Sequence, residues 1–202
     1  MKIIKLSENF ESAVEKTAEA INKGKIVVYP TDTVYGIGGN ALDKKVVDRI
    51  YLIKKREKKC PLSVIIKDLK MIEEYCKIGK KESKEIKKYF PGPYTLLVKR
   101  SKKKIPVTKT ERLGIRVPEY RFIQEVMKKI TVPLITTSAN ISGKESPVSF
   151  TQLSKEIVKK ADLVIDGGET KYKCPSNIID IPTGRVLREF VKSPLKNPKT
   201  IE

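Results

Sequence analysis

The stretch that most restricts how this chain can fold is Lys25 to Asn40, K-I-V-V-Y-P-T-D-T-V-Y-G-I-G-G-N. Its apolar half, Ile26-Val27-Val28-Tyr29, is an unbroken β-branched and aromatic run, the pattern of a strand buried on both faces. Pro30 ends the ladder because it has no amide hydrogen to donate. Thr31-Asp32-Thr33 then places three short polar side chains at the strand's end. Gly36, Gly38 and Gly39 allow a tight turn and a close approach of backbone to something else. In open α/β sheets, ligands sit beyond the carboxyl ends of the strands. Taken alone, the stretch leaves two readings open: a polar turn that satisfies its own backbone, or one wall of a small-molecule site. It is not a standard phosphate loop, since G-K-[S/T] is missing and Gly36-x-Gly38-Gly39 lacks the third glycine at dinucleotide spacing.

A second stretch repeats the pattern. Val132 to Ile135 is a buried strand that runs into Thr136-Thr137-Ser138-Ala139-Asn140-Ile141-Ser142-Gly143. Two strands ending in clustered small polar residues suggest one shared pocket at one edge of the sheet; two independent polar turns are the alternative. Leu113 to Pro118 is a strand carrying Arg116 between apolar residues. A buried arginine is costly unless paired, so Arg116 is either functional or ion-paired. The cluster Lys54-Lys55-Arg56-Glu57-Lys58-Lys59 ends a helix that starts from Asp43. Cations suit a helix C-terminus, but the cluster leads straight into the strand of Cys60 to Ile66, which makes Lys54 and Arg56 phosphate candidates.

The remaining elements alternate. Ile3 to Leu6 is a short strand, and Ser7 caps a helix to about Lys23 with Phe10, Ala13, Val14, Thr17, Ala18 and Ile21 on one face. In the Asp43 helix Val46, Val47, Ile50, Tyr51 and Ile53 are the buried positions. Leu69 to about Tyr89 is helical with a break at Gly79. Phe90-Pro91-Gly92-Pro93-Tyr94 is a rigid turn before the strand Thr95 to Val98. Arg100 to Lys109 looks like a mobile basic loop, and Glu119 to Ile130 an amphipathic helix. A helix near Thr151 to Lys160 precedes the strand Leu163 to Asp166. Ser176 to Ile181 and Arg185 to Phe190 form two strands joined by Pro182-Thr183-Gly184. Strands alternate with helices early and pair closely late, so a mixed α/β sheet is expected rather than a parallel one.

Composition narrows the chemistry. The 202 residues suffice for one well-buried domain over 1–202, its core at about 8–190 and a loose tail from Lys192. No apolar run approaches the roughly 20 residues needed to span a bilayer, and the N-terminus lacks the form of a signal peptide. Cytoplasm is therefore the default, with no membrane partner. Three cysteines, Cys60, Cys76 and Cys174, have no C-x-x-C spacing, so neither a disulfide framework nor a zinc site is indicated. There is no histidine, so proton transfer must use carboxylate, Lys, Tyr, water or the substrate. A net charge of +19 attracts nucleotides and nucleic acid. Scattered lysines fit equally well a solvated surface of the thermophile kind.

Taken in order, Y-P-T-D-T-V-Y-G-I-G-G-N-A (29–41), K-x-R with P-L-S-V (54–64), F-P-G-P-Y-T-L (90–96), I-R-V-P (115–118), T-S-A-N-I-S-G (137–143), D-G-G (166–168) and S-N-I-I-D (176–180) resemble the YrdC-like family over nearly the whole chain. The resemblance implies a twisted, open mixed α/β sheet flanked by helices, with a basic concave face, in the short form without an added C-terminal domain. It implies an L-threonylcarbamoyl-AMP synthase, a nucleotidyltransferase that joins L-threonine, bicarbonate and ATP and releases pyrophosphate. The adenylate would pass to a threonylcarbamoyl transferase complex that modifies tRNA, leaving any tRNA contact of this chain indirect. Carried over by motif, Thr33, Arg116 and Ser176 would hold L-threonine. Lys54, Arg56, Ser138, Asn140, Ser146 and Arg188 would hold ATP, with Lys54 and Arg56 in the catalytic role. Mg²⁺ would come with ATP, without an assigned protein ligand, and no tightly bound organic cofactor is implied. Cys60, Ile65 and Arg112 depart from the family pattern and are credited with none of its contacts. The alternative is an RNA-binding protein of ribosome or tRNA maturation that forms no adenylate. The charge motivates it; an aromatic content of 6% and the lack of an RRM, KH or OB signature count against it.

Overall fold

The computed structural model describes residues 2–191. Strand β1 (Lys2–Lys5) is followed by helix α1 (Phe10–Asn22), β2 (Val27–Tyr29), β3 (Gly36–Gly38), α2 (Lys44–Lys54) and β4 (Ser63–Ile65). Helices α3 (Leu69–Tyr75) and α4 (Lys80–Ile86) precede β5 (Tyr94–Lys99), β6 (Arg112–Arg116), α5 (Arg121–Lys129) and β7 (Leu134–Ser138). The chain continues through α6 (Lys155–Lys160), β8 (Leu163–Asp166), β9 (Asn177–Asp180) and β10 (Arg185–Arg188).

Helix boundaries follow side-chain caps. Asp43 accepts from the amide of Lys45 to start α2, and Asp68 accepts from Met71 to start α3. The cap of α1 is Asn9 rather than Ser7, its Oδ1 accepting from Ser12 at 2.9 Å. Gly24, at φ +66°, lets the chain leave α1 through the left-handed region. Gly79 separates α3 from α4 as expected, with the Glu82 carboxylate taking its amide hydrogen.

The strands form one mixed sheet in the order β1-β8-β2-β3-β7-β4-β6-β5-β9-β10. Parallel ladders join β1 and β2 to β8, β4 to β6, and β5 to β9. Antiparallel ladders join β2 to β3, β3 to β7, β4 to β7, β5 to β6 and β9 to β10. The stretch Gly36–Gly38, expected as a turn, is instead a strand inserted between β2 and β7. Glycine is needed there for contact rather than for turning: a Cβ on Gly38 would stand 1.8 Å from the Ile135 carbonyl oxygen. The Arg100 to Lys109 segment is also more anchored than expected. Ile105 and Val107 are buried in the core, and Val107 accepts the amide hydrogen of Leu62 at 3.0 Å. The tail from Lys192 lies outside the described residues.

The sheet has two regimes. Every residue of β2 is buried, as its unbroken apolar run requires. The central strands place at least one large apolar residue each in the core: Ile37, Val64, Leu96, Ile115 and Ile135 are fully buried. Residues paired across a ladder share a face, and the pairs Gly36 with Ser138, Ser63 with Thr136, and Leu97 with Gly114 fall on the opposite face. Apart from Leu97, the residues named on that face are small. A Cβ on Gly114 would lie 2.4 Å from Ser63 Oγ, so the floor is already closed to further atoms.

Candidate functional site

Above this floor lies a cleft of about 350 Å³. Its base is Gly36, Ser63, Thr95, Thr136 and Ser138, its walls are the loops after β2 and β7, and β9 and β10 close one side. Among the described residues the lining carries Arg56, Arg116 and Arg188 and no carboxylate, so the cleft is built for an anion. The two hydroxyl-bearing strand ends meet here: Thr31 and Val34 follow β2, while Thr136, Thr137 and Ser138 end β7.

Arg116 is the last residue of β6 and only 6% exposed. Its Nη2 donates to Asp32 Oδ1 at 2.9 Å and to Thr33 Oγ1 at 3.0 Å. The other oxygen of Asp32 accepts the Glu119 amide hydrogen at 3.0 Å. Burial pushes the Asp32 carboxyl upward from the ordinary value, and the adjacent guanidinium opposes that shift. Arg116 Nε is buried without a hydrogen-bond partner. Arg116 as a residue lines the cleft, and a guanidinium at a cleft wall suits the carboxylate of a ligand. Thr33 itself is fully buried, with Oγ1 taken up by Arg116 and by Thr31 Oγ1 at 3.0 Å. It stands behind the lining and supports Arg116 and Thr31, whereas a direct ligand contact was expected.

Lys54 differs more sharply from expectation. It closes α2 at 1% exposure, and its ammonium donates to the carbonyl of Ser138, to the Asn140 carbonyl at 2.8 Å and to Asn140 Oδ1 at 3.1 Å. Three acceptors use all three N–H bonds, so Lys54 braces the loop after β7 from beneath and presents nothing to the cleft. Burial, with Arg56 nearby, lowers its pKa to about 7. Asn140 is occupied too: Oδ1 also accepts from Ser138 Oγ at 2.6 Å. The reason is spacing. Arg56 lies beyond the left-handed residue Lys55 that ends the helix, so the two cations leave α2 in different directions.

Arg56 does line the cleft, held by its Nε to the Cys60 carbonyl at 3.2 Å and its Nη2 to the Pro61 carbonyl at 3.1 Å. Arg188 reaches in from β10, with Nε on the Ser176 carbonyl at 2.9 Å and Nη2 on Ser176 Oγ at 3.2 Å. Burial, and then the neighbouring Arg116, lower the Arg188 pKa; an anion between the two guanidiniums would relieve that repulsion. Ser146 and Ser176 complete the expected residues found in the lining. Arg112, left unassigned above, pairs with Asp180 at 3.0 Å. Thr31, Ser63, Thr95 and Thr136 were not expected individually. Their signal was a hydroxyl within, or just after, a strand otherwise mostly apolar. Asp32 was passed over as well, although a buried arginine requires such a partner.

A family model described as telomere recombination (Sua5/YciO/YrdC) matches residues 19–189. A Methanocaldococcus jannaschii protein with a provisional threonylcarbamoyl-AMP synthase name is 43% identical over 190 residues, covering 92% of this chain and 90% of that protein. The threonylcarbamoyl-AMP synthase of Pyrococcus abyssi is 33% identical across 94% of this chain, which spans 60% of that protein. The crystal structure of P. abyssi Sua5 complexed with L-threonine superposes with a TM-score of 0.81 at 31% identity, over 93% of this chain and 56% of that one. The crystal structure of Escherichia coli YciO superposes at 0.79 with 27% identity, over 89% of both chains. The chain belongs to the Sua5/YciO/YrdC family, and the arginine-walled cleft is its candidate site.

Proposed function

We propose that this chain is an L-threonylcarbamoyl-AMP synthase, a nucleotidyltransferase acting on L-threonine, bicarbonate and ATP. The observation that carries the reading is the cleft lining: three arginines, a row of hydroxyls and, among the described residues, no carboxylate. Similarity to a protein that binds L-threonine supports the choice of amino acid.

Arg116, held by Asp32, receives the threonine carboxylate, with Ser176 beside it. Threonine's amine, its extra proton lost to solvent, condenses with bicarbonate; the C–N bond forms and water leaves. A carbamate oxygen then attacks the α-phosphorus of ATP. The bond from that phosphorus to the bridging oxygen breaks, and pyrophosphate departs with the electron pair. No protein nucleophile is required, which suits a chain without histidine. Arg56, Arg188, Ser138 and Ser146 hold and neutralise the phosphates, the main demand of such a transfer. Among the described residues no cluster of His, Cys, Asp and Glu could hold a metal ion. Mg²⁺ enters with ATP, as part of the substrate. The adenylate goes on to a transferase that modifies tRNA, work of the cytoplasm.

The test is pyrophosphate release by purified protein, with the product identified by mass using labelled bicarbonate. Release that needs both L-threonine and bicarbonate supports the reading. Release without threonine, or none with any amino acid, overturns it. RNA binding that persists in an Arg56→Ala, Arg188→Ala double variant, with no adenylate formed, would favour the nucleic-acid alternative.

A further inference from the structure

The D-G-G turn after β8 has no place in the chemistry above, yet it is bonded to the centre of the site. Tyr35 is fully buried, and its phenol oxygen accepts the Gly167 amide hydrogen at 3.0 Å while donating to the Gly168 carbonyl at 2.9 Å. Its main chain is bonded on both sides as well. The Tyr35 amide donates to the Pro147 carbonyl at 2.9 Å, and its carbonyl accepts from Ala139 at 2.8 Å. One residue thus joins the segments that carry Ser138, Ser146 and Ser176. The turn requires glycine: a Cβ on Gly167 would meet Pro30 Cγ at 2.6 Å and the Tyr120 hydroxyl at 2.9 Å, and Gly168 sits at φ +72°.

From the clamped turn the chain runs back along the loop that supports Arg116. Thr170 Oγ1 donates to the Thr33 carbonyl at 2.7 Å, and the Tyr172 amide donates to the Asp32 carbonyl at 2.9 Å. The segment ends at Pro175 and Ser176, both in the cleft lining. Asp32 and Thr33 therefore have their side chains on Arg116 and their backbone carbonyls on this segment. Burial holds the Tyr35 phenol above its ordinary pKa, so it remains a donor at all working pH values.

We infer that Tyr35 is a positioning residue for the threonine end of the cleft, acting through residues 167–176 and the Asp32–Thr33 backbone without touching substrate. The inference rests on the reading of L-threonine as substrate. Tyr35→Phe removes one oxygen and keeps the ring; Thr170→Val removes the next link in the same chain. Calorimetric titration of each variant with L-threonine, and separately with ATP, separates the two ends of the site. Each variant is expected to weaken threonine binding by about tenfold, the scale of one lost buried hydrogen bond, while ATP binding moves by less than about twofold. Because both act through one segment, the double variant should weaken threonine binding by clearly less than the product of the single effects. Unchanged threonine affinity in folded Tyr35→Phe, an equal loss for both ligands, or multiplicative effects would overturn the inference. Wild-type protein that binds no L-threonine would remove the functional reading and this inference together, whereas binding by wild type that survives Tyr35→Phe removes only the inference.

Discussion

Arg116 and Asp32 form an ion pair at 2.9 Å in which the carboxylate side chain is fully buried and the guanidinium side chain 7% exposed. Such a pair is expensive to desolvate and is held by its surroundings: Thr33 and the Glu119 amide occupy positions on the two partners that water would otherwise fill. The pair fixes the guanidinium at the end of β6, on the wall of the cleft, and ties the loop after β2 to the central sheet.

Removing one partner of this pair should cost far more than a surface change. Asp32→Ala leaves a buried, uncompensated guanidinium and is expected to lower stability by about 3–5 kcal/mol. Asp32→Asn keeps an acceptor and should cost clearly less. Urea unfolding of both variants checks the ranking; equal losses would mean that the charge carries the effect and the retained acceptor contributes nothing. Arg116→Lys keeps the charge and loses the fork, and its threonine-dependent turnover should fall at least about tenfold.

The floor of the cleft is closed to larger residues. Gly114→Ala places a methyl group 2.4 Å from Ser63 Oγ, an overpacking expected to cost about 1–3 kcal/mol. Adding Ser63→Gly should recover part of that loss. Thermal melting of the single and double variants decides it, and no recovery would mean the clash lies elsewhere.

Lys54 should impose a pH dependence on stability. Its folded pKa of about 7 lies below the ordinary 10.5, so between those values the unfolded chain holds a proton that the folded chain has released. Stability contributed by this group therefore rises as pH rises from about 7 towards 10.5, and its penalty is complete below 7. Lys54→Met lacks the effect. Urea midpoints at pH 6, 7.5 and 9 should show wild type gaining on the variant with rising pH; parallel curves would refute it.

Ligand binding should show the one-sided charge of the cleft. Arg188→Ala is expected to weaken ATP binding by about tenfold or more, the scale of a lost bond to a charged group, with threonine affinity changed much less. Raising the ionic strength should weaken pyrophosphate binding in wild type and do so less in the variant. Salt-independent binding in both would count against the phosphates resting on these arginines.

Much of this was legible in the chain. Apolar runs located the strands, Asp43 and Gly79 marked helix ends, and the hydroxyls after Tyr29 and Ile135 pointed to one pocket. Arg116 in a β-branched strand announced the need for a partner. What escaped depends on direction rather than on pattern. Gly36 to Gly38 has turn composition but lies in the sheet, because only glycine at position 38 fits against the Ile135 carbonyl. Lys54 and Arg56 are two residues apart, and nothing local says that one ammonium turns inward onto carbonyls. Thr33 was carried over by motif as a contact, yet the buried guanidinium beside it takes its hydroxyl. The Arg100 to Lys109 loop looked mobile by charge, while Ile105 and Val107 tie it down.

The small-residue floor has a thermodynamic consequence. Glycine, serine and threonine there leave few rotatable side chains to be immobilised when something settles on the sheet. The contour beneath a ligand is main chain, already held by the ladders of β3, β4, β6 and β7. Occupancy of the cleft should thus forfeit little conformational entropy at its base, and the arginines of its walls are already held by hydrogen bonds, so the ordering cost of binding falls mainly on the ligand.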